Sequence, residues 1–204
     1  MSGELKTDEV VLDALRELVN IGMGRAAASI SEITARPIGV DVPVVEVLES
    51  FAGQHLPDLD QKVAVRVTMP FVGDIRGHGL LVLSEGGAGR LVELLMGHRR
   101  LGNVFDEDEQ SALLEVGNIT LNCVIGLLLN ELHGEVEYQI PQLHLRGFDE
   151  TVDLISDLQN GDVGGMLIRA GLRVESEGIC GYLMMLMQEG DLETLLTQVS
   201  RIAA

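Results

Sequence analysis

The strongest constraint in this 204-residue chain is that it repeats itself. Asp13-Ala-Leu-Arg-Glu17-Leu-Val-Asn20-Ile21 aligns with Ser111-Ala-Leu-Leu-Glu115-Val-Gly-Asn118-Ile119 at an offset of 98 residues, and the same offset lays Pro43 on Pro141. Each copy reads Asp or Ser, three residues, Glu, two residues, Asn, then 22 residues to Pro. Two related half-units, about 8–100 and 106–204, are therefore expected to pack as one pseudo-two-fold α/β (α+β) domain spanning 1–204. Its antiparallel sheet should be covered by long helices, and neither half need be stable alone.

The context of the pattern repeats as well. After Thr7, with Asp8 and Glu9 suited to the helix dipole, Val11, Leu12, Leu15, Leu18 and Val19 keep a helical period. In the second copy Asp106 and Glu109 have capping-box spacing, and Leu113 to Leu128 carry a helix to about His133, before Gly134. Strand-like alternation follows each helix: Val40, Val42, Val45 and Val47 around Pro43, and Tyr138, Ile140, Leu143 and Leu145 around Pro141. The apolar phase slips at each Pro, which marks a bulge or edge because Pro cannot donate to a ladder. Strands are expected over Lys62–Phe71, Ile75–Leu83, Gly165–Val174 and Gly178–Met187, and helices over Gly86–Met96 and Asp191–Ile202. The match of Gly79-Leu-Leu-Val-Leu to Gly181-Tyr-Leu-Met-Met has an offset of 102, so about four residues are gained within His144–Asp162, together with a short helix near Glu150–Leu158.

Charge narrows the partners. With 32 acidic and 14 basic residues the formal net charge is −18, and residues 101–204 carry 18 acids against 4 bases. Such a surface repels phosphate backbones and anionic headgroups, which argues against nucleic-acid binding. No Trp is present and aromatics are 3%, so base-stacking platforms are lacking. Met1–Glu9 is polar and acidic rather than signal-like, and no window approaches 18 uninterrupted apolar residues. A cytoplasmic protein without membrane insertion is expected. Cys123 and Cys180 lie in apolar surroundings and read as small buried hydrophobes.

On a helix, Asp13, Glu17 and Asn20 fall at i, i+4 and i+7 and form one stripe, as do Ser111, Glu115 and Asn118. Leu15, Leu18 and Val19 point elsewhere, which puts the stripe at the surface. The carboxylate can pair with a partner's Lys or Arg, and the amide donates and accepts hydrogen bonds at once. Asn is no general base near neutral pH, but it can orient a water where positioning dominates, as in phosphoryl hydrolysis. A surface Glu on a helix is usually just solvated, and Asn20-Ile-Gly22-Met-Gly24 can be read as a helix end or kink. The duplication weighs against that bland reading. A purely structural repeat would keep apolar positions first, yet Arg16 faces Leu114, Val19 faces Gly117, Gly22 faces Thr120 and Gly24 faces Asn122 while the polar residues and the Pro persist.

The doubled Asp/Ser-x3-Glu-x2-Asn-x22-Pro pattern, with Asn20-Ile-Gly-Met-Gly-Arg-Ala-Ala and Glu115-Val-Gly-Asn118-Ile, resembles the CheC class of chemotaxis phosphatases in the CheC/CheX/FliY group, over essentially the whole chain. The resemblance implies a CheC-like fold and dephosphorylation of a phosphorylated CheY-type response regulator. Asn20 and Asn118 would then orient the attacking water, and Glu17 and Glu115 would contact a regulator Lys. Asp13, Ser111, Pro43 and Pro141 support the motif. The resemblance also implies no cofactor on this chain, since Mg²⁺ belongs to the regulator, and it raises the receptor deamidase CheD as a second partner.

Other motifs carry less. Gly86-Gly87-Ala88-Gly89-Arg90 lacks the Lys-Ser/Thr of a phosphate loop and reads as a Gly-rich helix entry. His55, His78, His98, His133 and His144 have no His partner at i+3 or i+4, Ser29 and Ser31 no nucleophile elbow, and Met184, Met185 and Met187 sit in an apolar strand. Asp106–Glu109 reads as a solvated helix start. The alternative function is a non-catalytic adaptor of the same fold, binding a response regulator, CheD or flagellar switch components. An adaptor that had lost catalysis should have lost the Asn or the Glu, and this chain keeps both in both copies.

Overall fold

Apolar residues at helical spacing bury one side of each long helix, and alternating apolar residues bury the strands they rest on. The computed structural model describes residues 8–48, 63–98, 104–131, 135–145, 163–174 and 177–203. In chain order these form α1 (Glu9–Thr34), β1 (Ile38–Val40), β2 (Val44–Leu48), β3 (Val63–Gly73), β4 (Gly77–Ser84) and α2 (Glu85–Met96). Then come α3 (Glu107–Glu131), β5 (Val136–Tyr138), β6 (Gln142–Leu145), β7 (Val163–Val174), β8 (Glu177–Gln188) and α4 (Glu189–Ala203). Among the described residues the order helix, four strands, helix thus occurs twice.

Each long helix starts where its sequence supplies a cap. The Asp8 carboxylate accepts from the Val10 N–H at 3.2 Å, satisfying one of the open donors of the first turn of α1. At α3 the capping box forms in both directions: Asp106 Oδ1 accepts from Glu109 N at 2.9 Å and Glu109 Oε2 from Asp106 N at 3.0 Å. Asp106, Glu107 and Asp108 are exposed, as a solvated helix start requires, and Glu109 alone of the four acids is buried. Ser84 Oγ caps α2 by accepting from Gly87 N at 3.1 Å, which makes the Gly-rich run a helix entry.

The eight strands form one antiparallel sheet in the order β1-β7-β8-β4-β3-β5, with β2 also on β7 and β6 also on β3. Exchanging each strand for its counterpart leaves this order unchanged. At its centre β4 pairs with β8 through Leu81 opposite Leu183, and Gly79 opposite Met185 mirrors Leu83 opposite Gly181. These positions differ by the same 102 residues that relate the two sequence copies. The short strands cross over: β1 and β2 of the first half extend β7 of the second, while β5 and β6 extend β3. Each half therefore completes the other's sheet.

The breaks at Pro43 and Pro141 separate β1 from β2 and β5 from β6, where the apolar phase slips. Val42 and Ile140, each just before its Pro, are left 88% and 85% exposed. At the β3–β4 turn Gly73 has a φ of +152°, and a Cβ there would meet the Glu135 carbonyl oxygen, so only Gly fits.

All four helices among the described residues place buried residues in one core with one face of the sheet, including Leu15 and Ile30 of α1, Leu91 of α2, Leu121 and Ile125 of α3 and Leu195 of α4. Strand residues of alternate phase, such as Leu80, Val82, Met184 and Leu186, are buried on the opposite face. Fully burying a Leu or Ile contributes about 1.5–3 kcal/mol, so these contacts dominate the packing. The Met residues of β8 are buried, as their place in an apolar strand suggests. By length and composition α3 is the one helix among the described residues able to cross a membrane, with mean hydropathy 1.8 over 18 residues. Of that window 61% is buried within the fold, which is how a core helix behaves.

Two expectations change. Gly22 and Gly24 do not end the first helix, which runs on to Thr34 and closes at Ala35 in the left-handed region. Cys123 is only half-buried and carries a free thiol; burial pushes its pKa up, partly offset by Arg25. The short helix near Glu150–Leu158, the helix end at His133–Gly134, and His55 lie outside the described residues, as does the Cys180 side chain.

Candidate active site on two paired helices

Small residues let α1 and α3 approach closely. A Cβ on Gly22 would lie 2.8 Å from the Val124 Cα and 2.9 Å from the Cys123 carbonyl oxygen, so at this crossing the two backbones nearly touch. Gly117 meets the sheet in the same way, since a Cβ there would be 2.5 Å from Val67 Cγ2. With Leu15, Val19, Leu113 and Val116 turned into the core, the opposite faces of both helices are turned to solvent.

The two polar stripes lie on those faces. Asp13, Glu17 and Asn20 are exposed on α1, and Ser111 and Glu115 are exposed on α3 with Asn118 half-buried. Pro43 is buried and Pro141 half-buried beside the edge strands. Among the described residues Glu17, Asn20 and Glu115 make no hydrogen bond or ion pair, so their polar atoms are available to a partner. The supporting positions are used locally. Asp13 Oδ1 pairs with Arg16 Nη1 at 2.7 Å, and Ser111 Oγ donates to the Glu107 carbonyl at 2.8 Å.

The copies are not identical in environment. Arg16 also reaches Glu9 at 3.6 Å, giving the α1 stripe a cation, whereas α3 contains no Lys or Arg at all. In α3 the Asn122 amide lies against Asn118, its Nδ2 being 2.6 Å from Asn118 Oδ1 and 2.8 Å from the Asn118 carbonyl oxygen. Gly24 occupies the corresponding place in α1. Sequence reading recorded the Gly24–Asn122 difference but not this contact, which its i, i+4 spacing already permits.

Among the described residues, two cavities lie away from both stripes. A cavity of about 380 Å³ is lined by Asp74, Arg76, His78, Leu186, Gln188 and Asp191, at the β3–β4 turn and the start of α4. Burial lowers the His78 pKa below its ordinary 6.5 and favours the neutral imidazole. A smaller apolar void of about 30 Å³ lies between the helices and the sheet, lined by Met23, Leu91 and Thr120 among others. No group of three or more His, Cys, Asp or Glu side chains converges on a metal position among the described residues. The arrangement is a convex helical face bearing carboxylates and amides, suited to a macromolecular surface.

Comparison with known proteins finds the following similarities. A model of the CheC-like family matches residues 10–47, which include the α1 stripe and Pro43. The CheY-P phosphatase CheC of Bacillus subtilis (strain 168) is 24% identical over 155 residues, covering 71% of this chain and 70% of that protein. Thermotoga maritima FliY shares the fold with a TM-score of 0.73 at 17% identity, over 97% of this chain and 99% of that one. The FliM middle domain from H. pylori does so with a TM-score of 0.59 at 9% identity, over 94% and 99%. The family model thus rests on the first stripe, the Bacillus subtilis CheC aligns with most of the chain, and FliY shares the fold over nearly its whole length, so the chain is similar to the CheC-like family.

Proposed function

We propose that the chain is a phosphatase of a phosphorylated CheY-type response regulator, acting in the cytoplasm in chemotaxis signalling. The observation that carries this reading is the pair of exposed Glu/Asn stripes on two packed helices, with both carboxylates free of partners among the described residues. Its sequence relative named as a CheY-P phosphatase supports the same activity.

Glu17 or Glu115 docks by pairing with a Lys of the regulator. The Asn one turn further along reaches the aspartyl phosphate and holds a water with its amide, fixing the water's lone pair in line with the acyl-phosphate P–O bond. The water oxygen bonds to phosphorus, the P–O bond to the regulator's Asp breaks, and the carboxylate and inorganic phosphate are released, with the water's proton leaving on phosphate. Mg²⁺ held by the regulator would supply charge neutralisation at the phosphoryl oxygens. The Asn contributes position alone, which suits a residue that does not titrate.

A second reading is an adaptor that binds the regulator, CheD or a flagellar switch component without hydrolysis; the fold shared with FliY and the FliM middle domain favours it. Decay of a radiolabelled phospho-regulator, with and without the protein, separates the two. The phosphatase accelerates decay at substoichiometric concentration. Binding without acceleration, for two different regulators, establishes the adaptor.

A further inference from the structure

We propose that Asn122 is a positioning residue that holds the Asn118 amide ready for catalysis and makes the second site the faster of the two; this rests on the phosphatase reading above. The Asn122 side chain lies 2.8 Å from the Asn118 carbonyl oxygen, an atom that only accepts hydrogen bonds. The Asn122 atom there is therefore its NH₂, and the same nitrogen, 2.6 Å from the Asn118 side chain, requires Asn118 to present Oδ1. The Asn118 amide is thus held in one orientation. Its oxygen keeps one lone pair and its NH₂ keeps two donors for a water and a phosphoryl oxygen. Donation into Oδ1 also polarises the amide and strengthens those free N–H donors.

The first site lacks this device. Asn20 is exposed and makes no hydrogen bond among the described residues, and the position one turn on is Gly24. Its amide must be ordered in the docked complex on the way to each transition state, a cost in rotamer freedom that corresponds to roughly two- to tenfold in kcat. A Cβ on Gly24 would meet nothing within 4 Å, so an Asn fits there.

The test places each site alone. In an Asn20→Ala background, Asn122→Ala should lower kcat roughly two- to tenfold at unchanged KM. In an Asn118→Ala background, Gly24→Asn should raise kcat at the first site. Asn122 is exposed, so unfolding is not expected, and the melting temperature checks this. Side-chain ¹⁵N relaxation gives a readout independent of activity: the Asn118 amide should be more ordered than that of Asn20 and lose that order in Asn122→Ala. An unchanged or higher kcat in Asn122→Ala, a change in KM alone, or equal order of the two amides overturns the positioning role. Failure of the wild-type protein to accelerate phosphate loss overturns the phosphatase reading, and the positioning role with it.

Discussion

Single side chains divide here between docking and chemistry. Glu17 and Glu115 are exposed carboxylates with no partner among the described residues, so they act only when a cation arrives. With Asn118→Ala in place, Glu17→Gln should raise KM for the phospho-regulator roughly fivefold with little change in kcat, and the effect should shrink in high salt as exposed charges are screened. Titration of regulator at two ionic strengths measures this; a loss confined to kcat would contradict it. A second residue tests the fold. Burial disfavours the imidazolium of His78, so its folded-state pKa lies below 6.5. As pH falls below about 6.5 the unfolded chain takes up this proton first, and stability drops until the folded-state pKa is passed. Melting temperature should therefore fall less between about pH 7 and 5 in His78→Gln than in wild type.

At the scale of elements, the helix pair is what presents the stripes. Gly22 meets the α3 backbone itself, so Gly22→Ala forces the helices apart and should cost about 1–3 kcal/mol in chemical denaturation. Gly24→Ala, where a Cβ meets nothing, should be neutral or mildly stabilising. Much of this level was legible beforehand. The i, i+4, i+7 spacing put Glu17 and Asn20 on the outer face, the Asp106–Glu109 spacing announced its capping box, and the phase slip at both prolines marked a bulge or edge, where the structure has a break between short strands. Some was not. Gly22 followed by Gly24 has the composition of a helix end, and only the α3 backbone beside it shows why a helix keeps Gly there. The Asn118–Asn122 contact needs rotamers that spacing allows but does not dictate.

For the whole molecule, the crossing of strands between halves matters most. Hydrophobic alternation marks a strand but not its neighbour in the sheet, so the pairing of β1 and β2 with β7 had no signature in the sequence. That pairing makes the halves interdependent: without residues 106–204, β4 loses β8 and β3 loses β5 and β6. A fragment ending near residue 100 should show no cooperative unfolding transition by circular dichroism; a sharp transition would mean that one half folds by itself. The same architecture holds two Glu/Asn stripes on one rigid frame, and the central functional claim concerns those stripes. The most direct measurement is phospho-regulator decay with wild type, Asn20→Ala, Asn118→Ala and the double variant, alongside regulator affinity. The expected result is acceleration retained in part by one or both single variants, lost in the double, with binding kept. Full acceleration by the folded double variant would contradict the claim.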